Sequence, residues 1–126
     1  MEFNFDNDKP IYLQVIRQMK ILVASNTLKQ GEKIQSVRDL ATDNRVNPNT
    51  IQKALVELEK EKIICSKSTS GNYVTDDIKI IKKIKEELIE DFLNEFIINM
   101  SDVGISKEEI INYINSYERK NYGKEK

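Results

Sequence analysis

The 126-residue chain contains no histidine and a single cysteine, Cys65. Without histidine it lacks the commonest catalytic base, the commonest metal ligand and the side chain that usually changes charge near neutral pH. One cysteine cannot form an intramolecular disulfide or a thiolate cluster, which indicates a reducing compartment. These absences exclude histidine-dependent triads and histidine-ligated metal sites. The sequence also has no paired-carboxylate constellation and no glycine-rich phosphate loop, so an enzyme is the weaker interpretation. We expect no enzymatic activity, no metal and no cofactor.

The chain also lacks a run of about 18 apolar residues that could span a bilayer and a basic segment followed by an apolar one at its start. These two absences predict a cytoplasmic protein. Glycine and proline are scarce, with four and two residues, and charged residues make up 33% of the chain. This composition is typical of a folded, helix-rich protein with one ordinary domain, or a small domain with an appendage.

An excess of charge of either sign is missing too, since 20 basic and 21 acidic residues leave a net charge of -1. This balance argues against a nucleic-acid partner, because binding to phosphates requires positive charge. Residues 1–75, however, contain eleven basic and nine acidic residues, whereas residues 76–126 contain nine and twelve. The two imbalances, +2 and -3, cancel, and the small basic excess lies in the N-terminal part.

The first part of the chain has the spacing of two helices. After a polar lead-in, Pro10 suits a first helical turn, and apolar residues then recur at helical intervals. A turn around Gly31 leads into a short extended piece. Ser36 stands three residues before Asp39 in a weak variant of the capping box, which predicts a short second helix that ends near Asn44.

A third helix and a hairpin follow. Asn47 is the expected N-cap of this helix, with Pro48 at its first position. Residues 63–66 and 72–75 are short β-prone runs, and the polar residues between them are a candidate hairpin turn. Residues 10–75 therefore predict three helices and then a hairpin.

The second and third helices, with the tight polar connection at residues 44–47, have the pattern of a helix-turn-helix. In that arrangement the second helix of the pair enters the major groove, and its N-terminal residues reach base edges. A hairpin directly after it is the wing of a winged helix. Many small helical proteins contain two such helices, so a protein-interaction module without DNA specificity stays an alternative.

From Ile78 onwards the pattern is that of a long amphipathic helix, which Gly104 ends. Ser106 and Glu109 then form a capping box for a last helix. The apolar stripe of the long helix is broad for a segment with one short partner helix in its own chain, and a second protomer would bury it. The residues predicted for this dimer contact are Ile81, Ile84, Leu88, Phe92, Phe96, Ile110, Ile114 and Tyr117.

Four segments carry a family resemblance: PIYLQV at 10–15, LKQGEKIQSVRDLA at 28–41, VNPNTIQKAL at 46–55 and LEKE at 58–61. They closely resemble the N-terminal winged-helix domain of GntR-family bacterial transcription regulators and keep its order and spacing. The Asn-Pro-Asn-Thr start of the third helix and the short two-helix remainder are similar to the YtrA-like branch. Branches with effector domains of well over a hundred residues do not fit the remaining length.

The resemblance implies a sequence-specific DNA-binding transcriptional regulator, a repressor that acts as a homodimer on a palindromic operator. The implied fold is mostly α with a small β-hairpin wing. It consists of a winged helix-turn-helix DNA-binding domain in residues 1–75 and a two-helix dimerisation and effector region in residues 76–126. A small-molecule effector belongs to this expectation, although the sequence names none. The small basic excess predicts that DNA binding requires a dimer, with recognition helices on half-sites about 34 Å apart.

The resemblance also implies a set of DNA-contacting residues: Arg38, Arg45, Asn47, Asn49, Thr50, Gln52, Lys53, Lys67, Ser68 and Gly71. Arg38 matches a position that contacts phosphate or a guanine edge; its alternative is a surface salt bridge with Asp39 or Asp43. Gln52 can read adenine with two hydrogen bonds, or belong to an ordinary polar helix face. Asn47 is most simply an N-cap, and a phosphate contact would be additional.

Four positions depart from the family pattern. Gln35 stands where the family has proline, and Lys62 where it has glycine. In the wing, Thr69 replaces one of two glycines, and Ser68 replaces a common basic or histidine residue. Because a glycine lets the backbone approach DNA closely and a threonine does not, contact between the wing and the minor groove stays open. Cys65, in the first β-prone run, is expected to be a buried small hydrophobic residue.

Overall fold

The computed structural model describes residues 1–118. Within them, five α-helices and one antiparallel hairpin follow in order: α1 Ile11–Ala24, α2 Val37–Asn44, α3 Pro48–Lys60, β1 Ile64–Ser66, β2 Asn72–Val74, α4 Ile78–Val103 and α5 Lys107–Ser116. A 3-10 turn, Ser68–Ser70, joins the two strands. The mostly helical fold with a small hairpin wing is therefore confirmed.

The described residues form two compact units. The first unit comprises residues 1–88, and the second begins at residue 89 and is described as far as residue 118. The division falls within α4, whereas the sequence predicted a domain boundary after residue 75. That boundary stays a prediction, and residues 119–126 of the predicted C-terminal region lie outside the described residues.

Local caps set the starts of α2 and α3. The Ser36 hydroxyl accepts a hydrogen bond from the Asp39 N–H at 3.1 Å and starts α2. The Asn47 side-chain oxygen accepts from the Asn49 N–H at 2.8 Å and starts α3, with Pro48 at the first helical position. Each cap stabilises its helix by about 1 kcal/mol. Both starts lie where the sequence predicts them.

The core of the first unit is made mainly by one face of each of its first three helices, together with the hairpin. Apolar side chains three and four positions apart turn inwards, as expected for amphipathic helices. The buried residues of these elements are Val15, Met19 and Val23 of α1, Leu40 and Ala41 of α2, Ile51, Ala54, Leu55 and Leu58 of α3, Ile64 of β1 and Val74 of β2. The opposite face of α3 is left to solvent.

A third extended segment joins the hairpin. The Ile34 N–H donates to the Asn72 carbonyl at 2.9 Å, and the Val74 N–H donates to the Glu32 carbonyl at 2.9 Å. The strand β2 therefore lies between this segment and β1. Gly31, with φ of +75°, makes the turn into the segment, a conformation that side chains disfavour. The sequence predicted the extended piece but not its pairing with β2.

The N-terminal segment, expected to be a polar lead-in, packs onto the first unit. Phe3 is buried, and its N–H donates to the Asn44 side-chain oxygen at 2.8 Å. The Asn44 amide donates to the carbonyls of Met1, at 3.0 Å, and Leu40, at 2.8 Å. The end of α2 is therefore tied to the start of the chain. We call residues 1–6 the N-terminal strap.

Two glutamines of α1 hold the strap along their helix. The Gln18 amide donates to the Asn4 carbonyl at 2.6 Å and its oxygen accepts from the Asn4 N–H at 3.1 Å. Gln14 makes the same pair of bonds with Asp6, at 2.8 and 2.7 Å. Each glutamine therefore replaces the partner that a neighbouring strand would supply to the backbone.

The second unit contains the end of α4 and the whole of α5. The helix α4 ends before Gly104, whose φ is +88°. A full capping box starts α5: the Glu109 N–H donates to the Ser106 hydroxyl at 3.2 Å, and the Ser106 N–H donates to a Glu109 carboxylate oxygen at 3.0 Å. The Ser106 backbone N–H, and then its hydroxyl, hold the pKa of Glu109 below its ordinary value. Ile110, on the next turn, is buried.

Cys65 is exposed, so the expectation that it is buried was wrong. Successive side chains of a strand point to opposite faces. Ile64 on one face of β1 is buried, and Cys65 therefore lies on the other face, which the wing leaves open to solvent. Among residues 1–118, no helix is long and apolar enough to cross a membrane.

Candidate nucleic-acid interface

The connection between α2 and α3 is a tight left-handed turn at Arg45. Its φ is +55°, and the Val46 N–H beyond it donates to the Ala41 carbonyl at 3.0 Å. Glycine is the usual residue at such a helix end, because a side chain strains the backbone there. With Asn47 capping the next helix, this turn sets α3 directly after α2 and leaves the Arg45 side chain in solvent. Residues 37–60 are therefore a helix-turn-helix.

The exposed face of α3 is polar at its N-terminal end. Asn49, Gln52 and Lys53 are exposed, and Thr50 is half-buried beside them. Val56, one turn further on, is 38% exposed on the same side of the helix. Sequence reasoning missed Val56, although its spacing of four from Gln52 and seven from Asn49 places it on their face.

Nine of the ten predicted DNA-contacting residues are exposed, and the tenth is Thr50. None of the ion pairs found among residues 1–118 involves Arg38 or Arg45. The alternative of a salt bridge from Arg38 is therefore not formed in this part of the chain. Asp43 instead lies 3.9 Å from the amino group of Met1 and accepts a hydrogen bond from Gln35 at 3.2 Å.

The wing and the start of α2 border a common depression of about 370 Å³. Ser36 and Val37 line it from the helix, and Thr69 and Gly71 line it from the wing. Lys33 of the third extended segment also borders it. Lys33 is not among the predicted DNA-contacting residues. The sequence feature that could have identified it is its place in segment 28–41, which resembles the family. The depression thus joins a lysine to a helix N-terminus, which carries partial positive charge.

The tip of the wing depends on Gly71. Its φ of +110° lies in a region that side chains disfavour, and an added Cβ would lie 3.3 Å from the Lys33 Cε. The Lys67 N–H donates to the Gly71 carbonyl at 2.9 Å and closes the turn. Ser68, with φ of +55°, also takes a left-handed conformation. The residues predicted to contact DNA from the wing therefore share one tight turn.

Two of the predicted lysines rest on tyrosine rings. The Lys53 ammonium lies 3.9 Å from the centre of the Tyr12 ring. In the wing, the Lys67 ammonium lies 4.6 Å from the centre of the Tyr73 ring. Both distances fit a cation–π interaction.

The residues that depart from the family pattern take distinct positions. Lys62 has φ of +65°, so it occupies a backbone conformation that suits the family's glycine. Gln35 donates to Asp43, while its own side-chain oxygen is buried and has no hydrogen-bond partner among the described residues.

The eight residues predicted for dimer contact fall into three groups. Ile84 and Leu88 are buried in the core of the first unit, with Ile81 half-buried against it. Within the second unit Ile110 is buried and Phe96 is half-buried. The exposed members are Phe92, Ile114 and Tyr117. Residues buried by their own chain are unavailable to a partner, so we carry the dimer prediction forward on the exposed group.

The second unit has further exposed apolar side chains next to this group. On α4 they follow helical spacing, and on α5 they lie within three turns. The additional exposed residues are Ile89, Leu93, Ile97, Ile98, Val103, Ile111 and Tyr113. Among residues 1–118, no group of three acidic or cysteine side chains is placed to hold a metal ion.

A helix-turn-helix with an exposed polar second helix, followed by a wing, defines the class of winged-helix DNA-binding proteins. Residues 11–74 match the family described as "Bacterial regulatory proteins, gntR family". This segment is more than half of the chain. The chain therefore belongs to the GntR family of transcriptional regulators, and the family resemblance seen in the sequence is confirmed.

Two curated relatives come from Bacillus subtilis strain 168. The HTH-type transcriptional repressor YtrA is 39% identical over 106 residues, which cover 83% of this chain and 82% of YtrA. YhcF, an uncharacterized HTH-type transcriptional regulator, is 32% identical over 117 residues, which cover 93% of this chain and 97% of YhcF. Both are named as transcriptional regulators, not as enzymes.

A solved structure is also similar over most of the chain. It is a GntR family transcriptional regulator from Listeria monocytogenes, 38% identical, with a TM-score of 0.83. The match covers 90% of this chain and 100% of that one. The similarity therefore extends beyond the winged helix to the helices that follow.

Proposed function

We propose that the chain is a sequence-specific repressor that binds a palindromic operator as a homodimer. The exposed face of α3 carries this proposal, because Asn49, Gln52 and Lys53 project from a helix whose other face is buried. A helix of this kind fits the major groove, where Gln52 can both donate to and accept from adenine. The repressor role is supported by the name of YtrA, which is 39% identical to this chain.

The surroundings of α3 suit the phosphate backbone on either side of a groove. Arg38 and Arg45 are exposed and outside the ion pairs found in residues 1–118. The depression beside Lys33 opens at the start of α2, where the first backbone N–H groups have no intrahelical acceptor. Helix N-termini and basic side chains are common phosphate ligands. These groups would fix the orientation of α3, and α3 would read the sequence.

The homodimer is supported by the exposed apolar side chains of the second unit. Ile89, Leu93 and Ile97 lie along α4 with 40–55% of their surface exposed. Complete burial of a fully exposed apolar side chain contributes about 1.5–3 kcal/mol, so burying the exposed half of each of these contributes roughly 1 kcal/mol. Solvent is therefore an unfavourable environment for the whole set. A second copy buries the same surface twice, and its two-fold symmetry matches a palindromic operator.

An effector remains a prediction. In the second unit, Glu109, Asn112, Tyr113 and Ser116 line an open depression of about 230 Å³. Cavities that enclose small-molecule ligands are usually about 300–1,000 Å³. We therefore propose DNA binding and dimerisation without assigning an effector site.

DNA binding is tested by selecting duplexes from a random library with the wild-type chain and measuring the Kd of the selected duplex at several salt concentrations. The logarithm of the affinity should fall with the logarithm of salt concentration, with a slope of about 0.9 per neutralised phosphate. Gln52→Ala should lose about 1–3 kcal/mol of discrimination at one base pair. Arg38→Ala should weaken binding and lower the slope.

The matched control is Lys60→Ala, which removes one positive charge from the other end of α3, where Lys60 pairs with Glu57 at 3.1 Å. It should change the affinity much less than Arg38→Ala, since the start of the recognition helix makes the contacts. If no sequence is enriched and binding does not depend on salt, the DNA proposal fails, and a protein-interaction module is the better interpretation.

The dimer is tested by Leu93→Glu in sedimentation equilibrium. A charge at a position 54% exposed in one chain should be tolerated by that chain but not by a buried dimer contact, so the mass should fall to that of a monomer. Leu13→Glu is the control, because Leu13 is 48% exposed on α1 of the first unit. An unchanged mass for Leu93→Glu would remove this surface from the proposal.

A further inference from the structure

Tyr12 is the residue whose position calls for an explanation beyond packing. It lies in the first turn of α1 and is half-buried, with the Lys53 ammonium 3.9 Å from the centre of its ring. The contact joins the start of α1 to the exposed face of α3. Tyr12 was not among the residues predicted to bind DNA, whereas Lys53 was.

The Tyr12 ring is held by a helix that packs on the core, whereas the Lys53 side chain is exposed. On α1, Val15 and Met19 are fully buried one and two turns beyond Tyr12, in the core that also buries Ile51 and Ala54 of α3. This packing fixes the helix turn that carries the ring. Lys53 is exposed, and a free lysine side chain has several rotatable bonds whose order must be lost when it binds.

The ammonium keeps donors available on the side away from the ring. A lysine ammonium has three N–H groups, and a ring face interacts with one side of the cation. None of the ion pairs found in residues 1–118 occupies Lys53. The arrangement therefore presents a positive charge at a defined place without neutralising it.

The side chains of Gln52 and Lys53 lie on different sides of the exposed face of α3. Successive residues of a helix are rotated by about 100°, so Gln52 and Lys53 point to different sides of that face. Lys53 takes the side of α1, as its contact with Tyr12 requires. A helix in the major groove has base edges in front of it and a phosphate backbone on each side.

We infer that Tyr12 is a positioning residue for DNA binding, whose ring holds the Lys53 ammonium where it donates to a backbone phosphate. This inference rests on the proposed DNA-binding function. Holding the side chain in place before binding lowers the cost of ordering it in the complex. The wing repeats the arrangement, with Lys67 4.6 Å from the ring centre of Tyr73, which is itself fixed in β2.

The test uses the duplex selected by the wild-type chain and compares Tyr12→Phe, Tyr12→Leu, Lys53→Met and the double variant Tyr12→Leu/Lys53→Met. Tyr12→Leu should weaken binding about two- to five-fold per protomer, because a lysine that the ring no longer holds must be ordered when DNA binds. Lys53→Met should lower the salt slope by about 0.9 per protomer, and Tyr12→Leu should lower it towards that value. Tyr12→Phe keeps the ring and should behave as wild type.

The double variant separates positioning from packing. In the Lys53→Met background, Tyr12→Leu should have no further effect on affinity, because the two residues act through one contact. Urea unfolding of each variant shows whether it is folded. An equal loss in both backgrounds, an unchanged salt slope for Lys53→Met, or a loss in Tyr12→Phe as large as in Tyr12→Leu would each overturn the inference.

These results are distinct from a failure of the proposed function. If the wild-type chain enriches no duplex, DNA binding itself is refuted. If the wild-type chain enriches a duplex and Tyr12→Leu binds it with unchanged affinity and salt slope, the positioning role of Tyr12 is refuted and DNA binding stands.

Discussion

Replacing Asn44 by alanine should destabilise the first unit clearly more than an ordinary surface substitution does, although Asn44 is a polar residue next to a surface turn. Its side chain accepts the Phe3 N–H and donates to the carbonyls of Met1 and Leu40, with distances of 2.8, 3.0 and 2.8 Å. Asn44→Ala removes all three bonds at once. The Phe3 N–H and the carbonyls of Met1 and Leu40 then lose the Asn44 side chain as a partner, although this part of the unit is half-buried.

The expected loss follows from these contacts. A hydrogen bond between uncharged groups contributes about 0.5–1.5 kcal/mol net. Three such bonds, partly reachable by water after the change, amount to about 2–3 kcal/mol. If the strap then detaches, Phe3, now 9% exposed, loses its burial as well. Because small domains are stable by about 5–15 kcal/mol, the change should be easily measured.

The assay is urea unfolding followed by circular dichroism, with the wild-type chain measured beside Asn44→Ala. The midpoint should fall while the slope of the transition stays the same, which indicates a change in stability and not in the surface exposed on unfolding. Asn49→Ala is the matched control, since Asn49 is an exposed asparagine of the same helix-turn-helix and should change stability by less than about 0.5 kcal/mol.

A loss for Asn44→Ala no larger than that of Asn49→Ala would refute the reasoning, because it would mean that the three hydrogen bonds of Asn44 contribute nothing to the stability of the folded unit. A loss of about 2–3 kcal/mol accompanied by proteolysis at the first residues would support the tie between the strap and α2.

Three further changes test the turns and the last helix. Lys62→Gly should raise the free energy of unfolding by up to about 1 kcal/mol, seen as a higher urea midpoint, because Lys62 has a φ of +65° that glycine adopts without strain. Gly71→Ala should lower stability in the same assay by about 1–3 kcal/mol, since its φ is +110°. Folding lowers the pKa of Glu109 below its ordinary value of 4.5. The ionised carboxylate therefore contributes to stability above pH 4.5, and this contribution is lost as the pH falls through the folded-state pKa. Glu109→Gln should remove this part of the acid sensitivity in pH-dependent circular dichroism.

Sequence reasoning succeeded where structure is set by neighbouring residues. The start of α3 at Pro48, the capping box of Ser106 and Glu109, and the end of α4 before Gly104 were all predicted. Caps and left-handed turns depend on a few consecutive residues, so their signal is complete within a short window.

The same reasoning missed contacts that join distant parts of the chain. The strap residue Phe3 is bonded to Asn44, 41 positions away, and no periodic pattern marks such a pair. Ile84 and Leu88 fit a dimer stripe by spacing, but the first unit buries them. Cys65 was assigned to the interior because cysteine is usually buried, and the alternation of a short strand decided otherwise.

The candidate site divides in the same way. The prediction that Arg38, Gln52 and Lys53 contact DNA came from the sequence, through the helix-turn-helix pattern and the family resemblance. The neighbours of these residues could not be predicted from the sequence. Tyr12 lies against Lys53, and Lys33 borders the depression beside the wing, because separate elements pack together.

By itself, then, the sequence determined the order of elements, their ends and the class of protein, because caps, turns and helical periodicity act over a few residues. The missing histidines and the balance of 20 basic and 21 acidic residues also limited the chemistry open to it. Only the tertiary structure decided which apolar residues remain exposed, what holds the first residues in place and which tyrosine rings lie against Lys53 and Lys67. Those outcomes depend on surfaces that meet only after the chain has folded.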